Sequence, residues 1–312
     1  MVKAAWSVIL LAGVLTGCGS GGDPSTSNEL LGSGILISDD GTGNWEVFIF
    51  DPESSITHQV THEAGYQTDR DAEVLGVDFE PAWSPDGQQI VLVTDRYANQ
   101  ELLVVDRSGS EIQRFDSAVF GVGEPAWSPD GTQIAFRSDM SRDVELYVMG
   151  ADGSNLRQLT HSPDEDWTPT WSPDGTHLAF ASRRGNGSWD IFTMRPDGSE
   201  VVELTSDSWD NYLPDWSPDG NRIAFASNRS GNWDIFTMDP DGSSVQQVTD
   251  DPAADIEPVW SPDGSQLAFA TLRDRSVRGW EVFLVDVDGG GESATGQQGY
   301  PTDWIDGSED SR

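Results

Sequence analysis

Carboxylates recur in this sequence at fixed distances from a repeated tryptophan. Five residues before Trp83, Trp127, Trp171, Trp216 and Trp260 stand Asp78, Val122, Asp166, Asn211 and Asp255. Three residues before them stand Glu80, Glu124, Thr168, Leu213 and Glu257. If the repeats surround an axis, these side chains converge, and like charges brought together repel unless a cation intervenes. The chemistry on offer is capture of a divalent cation such as calcium, or of a basic, amine-bearing segment of a protein or peptide partner. Trp167, Trp209 and Tyr212 stand nearby and could add cation–π contact. The candidate binding set is Asp78, Glu80, Glu124, Asp166, Trp167, Asn211, Tyr212, Asp255 and Glu257. A solvated acidic rim on an acidic protein is the plainer account of the same residues.

The elements that position them follow from the repeat. Trp-Ser-Pro-Asp-Gly begins at each of the five tryptophans, at spacings of 44, 44, 45 and 44 residues, with a proline always two residues ahead. Within one period, residues 213–217, 223–227, 234–238 and 245–249 read as four short strands. Pro218-Asp219-Gly220 and Asp239-Pro240-Asp241-Gly242 punctuate them as tight turns. Four antiparallel strands in about 44 residues make a propeller blade. Residues 35–38, 46–50 and 58–61 match the last three strands of a blade, and Tyr300-Pro301-Thr302-Asp303-Trp304 supplies a degenerate first strand. The expected fold is therefore all-β, a six-bladed β-propeller of four-stranded antiparallel blades, closed by the N- and C-terminal strands in one shared blade. Closure removes sheet edges that would template aggregation, and a monomer is expected.

These blades resemble the repeats of TolB-type propellers over residues 31–307, through the pattern P-x-W-S-P-D-G-x-x-I-A-F. The resemblance implies binding at the mouth of the central channel. It leaves function open, since that superfamily includes periplasmic scaffolds, peptidase accessory domains and some lyases. TolB itself carries an α/β domain before its propeller, whereas only a tether is read here, so its role in the Tol–Pal system is not carried over.

Other recurring residues read as structural. An acid opens the third strand of every blade, at Glu46, Glu101, Glu145, Asp190, Asp234 and Glu281. A residue needed once for chemistry has no reason to appear six times, so a hydrogen bond tethering the preceding loop is expected, with Arg96, Arg183, Arg229 and Arg273 as partners. The repeat tryptophans read as blade-to-blade packing. Asp286-Val287-Asp288-Gly289 with Glu292 comes nearest to a calcium loop but lacks the further ligands of that pattern. His58, His62, His161 and His177 fall on outer strands, their exits or a turn, and no nucleophile elbow or phosphate loop is present. A non-catalytic envelope scaffold or receptor is the leading reading. The alternative is a metal-dependent lyase or hydrolase acting on saccharides or lactones in the channel.

Lys3 followed by the apolar run of residues 4–15 has the form of a secretory signal, too short for a spanning helix. It ends in Leu15-Thr16-Gly17-Cys18, which resembles a bacterial lipobox. The expected organisation is a signal peptide over residues 1–17, lipidated Cys18 and a flexible tether to residue 30, the propeller over 31–307, and an acidic tail over 308–312. The resemblance implies an exported protein held to a membrane by lipid on Cys18, at the outer membrane facing the periplasm or at the cell surface. Cys18 is the sole cysteine, which excludes disulfides. The net charge of −37, with one lysine in the chain, excludes a basic stripe for nucleic acid. A high-salt habitat or selection for cationic partners would each account for that charge.

Overall fold

A computed structural model describes residues 34–39, 45–62, 65–67, 73–75, 77–97, 100–115, 121–185, 187–273 and 279–306. Cys18, the leader, the tether and the acidic tail lie outside the described residues.

The strands form six four-stranded antiparallel sheets. The first blade consists of Tyr300–Ile305, Gly34–Asp39, Glu46–Asp51 and Ile56–Gln59. The second runs Asp78–Trp83, Gln89–Thr94, Glu101–Asp106, Glu111–Phe115, and the third Val122–Trp127, Gln133–Ser138, Glu145–Gly150, Arg157–Gln158. The fourth is Asp166–Trp171, Leu178–Ser182, Asp190–Met194, Val202–Glu203, and the fifth Asn211–Trp216, Ile223–Ser227, Asp234–Met238, Gln246–Gln247. The sixth is Asp255–Trp260, Gln266–Thr271, Glu281–Asp286, Ser293–Gln298. A two-stranded hairpin, Gly65–Gln67 with Glu73–Leu75, sits in the connection from the first blade to the second.

Ring closure occurs where the sequence placed it. Ile35 pairs with Trp304 and Gly34 with Ile305, so the last strand completes the sheet begun by the first. The outer strand of the fifth blade is shorter than the sequence suggested, Gln246–Gln247 where residues 245–249 were expected, and that of the first blade is displaced by two residues, to Ile56–Gln59 from 58–61. Past Gln247 the ladder ends in a bifurcated bond, with Val248 N and Thr249 N both donating to the Ile235 carbonyl at 2.8 and 3.4 Å, while both side chains stay buried.

Second strands are buried on both faces because a blade has a neighbour on each side. In the fourth, fifth and sixth blades an Ala-Phe-Ala core puts small side chains on one face and a large one on the other. Ala179 and Ala181 of the fourth blade thus receive Ile223 and Phe225 of the fifth. Ala224 and Ala226 receive Leu267 and Phe269 of the sixth in the same way. At the seam, Ala268 and Val282 of the sixth blade pack on Ile35, Ile37 and Phe50 of the first. The repeat tryptophans do bridge blades: Trp83 Nε1 donates to the Gly34 carbonyl and Trp171 Nε1 to the Ala126 carbonyl, each at 3.2 Å.

The third-strand acids have other partners than expected. Glu145 accepts from the Thr160 hydroxyl at 2.5 Å and Asp190 from the Thr205 hydroxyl at 2.9 Å, and the Thr61 hydroxyl donates to Glu46. Each threonine Oγ1 also accepts the N–H that follows the acid, as from Leu146 at 2.9 Å. The bond ties the third strand to the chain leaving the fourth. Asp234 does hold its preceding loop, through Ser230 and Asn232.

Candidate functional site

Six inner strands run along the axis, and each of their positions has its own environment. Five residues before the tryptophan, the side chain turns into its own blade. Asp166 meets Arg184 at 2.5 Å, Asp255 meets Arg273 at 2.6 Å, Asn211 meets Arg229 at 2.7 Å, and Asp78 pairs with Arg96. These arginines stand in the loop between second and third strands, and three of them lie over phenylalanines, as Arg229 over Phe236 at 5.0 Å. Asp78, Asp166, Asn211 and Asp255 are 0–1% exposed. They fix the blade and do not reach the channel. Arg96, Arg229 and Arg273 therefore serve the first-strand position rather than the third-strand acid, and in the fourth blade Arg184 takes the role expected of Arg183.

Three residues before the tryptophan, the chain bulges. Glu80, Glu124, Thr168, Leu213 and Glu257 all adopt a left-handed backbone, with φ between +51° and +56°. Such a conformation is costly for a side chain other than glycine, and its recurrence in five blades shows that the fold imposes it. The bulge interrupts pairing with the second strand, as between Phe79 and Ala82. In three blades it also aims the N–H at the preceding blade. Glu80 N donates to Ser38 Oγ at 3.0 Å, Glu124 N to Glu80 Oε2 at 2.7 Å, and Thr168 N to Glu124 Oε2 at 2.6 Å.

Arg137 supplies a cation that the sequence analysis missed. It lies 3.4 Å from Glu124 and 3.8 Å from Glu80, with its guanidinium 4.3 Å from the centre of the Trp167 ring. Burial alone would lower its pKa, but Glu124 and Glu80 outweigh that and raise it. Burial pushes Glu124 up to about 7, with Arg137 opposing and Glu80 reinforcing. Glu257 is driven far above the carboxylate range by burial and by Glu80 and Glu124. The signal for Arg137 was present in the sequence: its segment reads Ala-Phe-Arg-Ser where the next two blades read Ala-Phe-Ala-Ser.

One residue before the tryptophan, two further acids went unnoticed. Asp215 accepts from Trp260 N at 3.0 Å and Asp303 from Trp83 N at 2.8 Å. Burial raises Asp215 to about 7, with Asp303 adding repulsion, and burial raises Asp303 to about 6.

An aromatic shelf borders the glutamates. Trp189 lies 5.0 Å from Tyr212 and 5.9 Å from Trp167, ring centre to ring centre. Tyr300 lies between Trp45 and Trp280 at 5.7 and 5.6 Å. Trp209 is 46% exposed. The structure thus brings together Glu80, Glu124, Trp167, Tyr212 and Glu257 of the expected set, and adds Arg137. The histidines stay off the inner strands: His58 is exposed on an outer strand and His177 sits beside a turn. Among the described residues no three His, Cys, Asp or Glu side chains converge as a metal-holding group. Glu292 of the supposed calcium loop pairs with Arg273.

The family described as TolB beta propeller domain matches residues 117–212 and 208–303. No curated protein matches the sequence. Among solved structures, TolB from Acinetobacter baumannii shares 23% identity and a TM-score of 0.71, over 87% of this chain and 66% of that one. A TolB candidate from Agrobacterium tumefaciens shares 26% identity and a TM-score of 0.69, over 86% of this chain and 92% of that one. Oligogalacturonate lyase from Vibrio parahaemolyticus follows the same fold at 16% identity and a TM-score of 0.58, over 84% of this chain and 73% of that one.

Proposed function

Because this chain belongs to the TolB beta propeller domain family, we propose that it is a non-catalytic binding module that takes a basic protein or peptide segment at its channel mouth. The observation that carries this reading is the mouth itself. Glu80 and Glu124 face one internal cation, Arg137, Glu257 stands within the field of those two glutamates, and Trp167, Trp189 and Tyr212 cluster beside Arg137. A guest with a positive group would meet carboxylates and aromatic faces together, which suits ammonium and guanidinium groups. A calcium ion is the competing guest. It would have to enter beside Arg137, which already occupies the space between Glu80 and Glu124. The alternative, a metal-dependent lyase or hydrolase acting on saccharides or lactones in the channel, would have to work through carboxylates, since no histidine lies on an inner strand.

The leader supports an exported protein carrying lipid on Cys18, with the channel mouth presented to partners at the cell envelope. The test is crosslinking in cells from a photoreactive residue at exposed position 209, with Glu80, Glu124 and Glu257 changed together to glutamine as the control. The reading expects one discrete protein adduct that the triple substitution removes. Adducts unchanged by that substitution, or none, would refute it.

A further inference from the structure

The mouth contains one mismatch between neighbouring blades. Three residues before the motif tryptophan, the acid of one blade accepts the N–H at the same position of the next: Glu80 from Glu124, and Glu124 from Thr168. Glu257 of the sixth blade should do likewise with the first blade, against which it stands. The matching residue there is Pro301, three before Trp304, and proline has no N–H. Glu257 has the same left-handed turn as the others, with φ +54°. Burial and the charges of Glu80 and Glu124 act on it, and no described residue donates a hydrogen bond to it. Arg137 is committed to Glu80 and Glu124.

A second observation points to a guest at the same ring. Thr168 is 7% exposed, and its hydroxyl has no partner. Its side chain leaves the chain at the position from which Glu80, Glu124 and Glu257 project. The Trp167 indole N–H beside it is also without a partner. Buried polar groups are rarely left so unless something outside the chain completes them.

We infer that Glu257 reads the guest, seating a primary ammonium group that donates where Pro301 offers no N–H. The ammonium belongs to a lysine side chain or to a chain N-terminus. Its remaining hydrogens face bulk water, and the aromatic group of Trp45, Tyr300 and Trp280 stands at the same seam between the sixth and first blades. Burial and the neighbouring Glu80 and Glu124 favour the protonated form of Glu257, whereas a seated ammonium favours the carboxylate, so binding releases that proton to solvent and leaves a carboxylate–ammonium pair. This inference rests on the proposed reading that the mouth binds a basic segment.

The experiment is calorimetric titration at low salt with acetyl-Gly-Lys-Gly-amide, its Nε-acetylated form, and Gly-Gly-Gly-amide with a free N-terminus. Binding of the lysyl peptide is expected to fall at least about tenfold on Nε-acetylation, on Glu257→Gln and on Pro301→Ala, which restores an N–H to cover Glu257. Glu203→Gln, on an exposed outer strand, should leave it unchanged. Repeating the titration in buffers of different ionisation enthalpy should show release of about one proton per ammonium bound. Tighter binding of the Gly-Gly-Gly peptide would assign the site to an N-terminus rather than a lysine. If Pro301→Ala fails to fold, Glu257→Gln and the acetylated peptide decide alone. Wild-type affinity in both Glu257→Gln and Pro301→Ala, with loss in Glu80→Gln, would overturn the inference while leaving mouth binding intact. Absence of binding by every peptide, together with no crosslink at position 209, would overturn both.

Discussion

Arg137 lies in the space that a side chain on residue 123 would fill. The two are partners in the ladder between the inner and second strands of the third blade, and a Cβ on Gly123 would collide with the guanidinium. Other blades carry a bulky residue at the position of Gly123, such as Phe79, Trp167, Tyr212 or Ile256. The missing side chain in one blade makes room for the channel's cation.

Gly123→Phe should therefore expel Arg137. Arg137→Ala should remove the cation outright and leave Glu80 and Glu124 facing each other. Breaking a largely buried pair by deleting one partner costs about 3–5 kcal/mol. Thermal unfolding at pH 8 should show that loss for both variants. At pH 5, where Glu124 is protonated, the loss should be much smaller.

Stability should be greater at pH 5 than at pH 8. Burial raises Glu124, Glu145 and Asp215 to about 7, and Asp190 and Asp303 to about 6. A carboxyl whose pKa rises on folding binds more protons folded than unfolded, so its contribution is present below the unfolded pKa. That contribution fades as pH climbs from the ordinary carboxylate value of about 4 and is gone once pH has passed the folded values, at about 1.4 kcal/mol for each unit of displacement. The turn aspartates Asp130, Asp174, Asp219 and Asp263 are lowered chiefly by hydrogen bonds, so their contribution is lost as pH falls below their ordinary value of 3.8. A melting-temperature maximum near pH 4, about the ordinary carboxylate value, is expected. Asp303→Asn, which still offers an oxygen to the Trp83 N–H, should narrow the gap between pH 5 and pH 8. Surface self-repulsion acts in the same direction, and 1 M salt should suppress that part alone.

Truncation after Gly299 removes the strand Tyr300–Ile305 and bares the edge of Gly34–Asp39. Size-exclusion chromatography should show association or aggregation of the truncated chain, since an unpaired edge strand recruits another. A monomeric, fully folded truncation would show that closure is dispensable.

Thr160→Val deletes the hydroxyl that donates to Glu145 and accepts from Leu146 N. The expected cost is about 1–3 kcal/mol, read by denaturant unfolding. The mouth lies elsewhere, so peptide affinity should not change.

Cys18→Ser should move the protein from the detergent phase to the aqueous phase on Triton X-114 partition, and should abolish labelling by an alkynyl palmitate. Equal partition of both forms would remove the lipid anchor.

The repeat determined the blade count, the turns and the closing strand by itself. Strand pairing in a blade is local, and Trp-Ser-Pro-Asp-Gly marks the same turn each time. It also put Glu80, Glu124 and Glu257 at one height along the axis, since a fixed offset from the tryptophan is a fixed height. Which acids face the channel was decided by tertiary structure. Asp78 and Glu80 are two residues apart and would share a face on a regular strand. The left-handed turn at Glu80 breaks that alternation, sending Asp78 to Arg96 inside the blade and Glu80 to the next one. Arg137, Asp215 and Asp303 were hidden for a related reason. Their roles depend on the blade beside them, and contacts between blades join residues that the chain keeps about 45 positions apart or, for Asp303 and Trp83, 220.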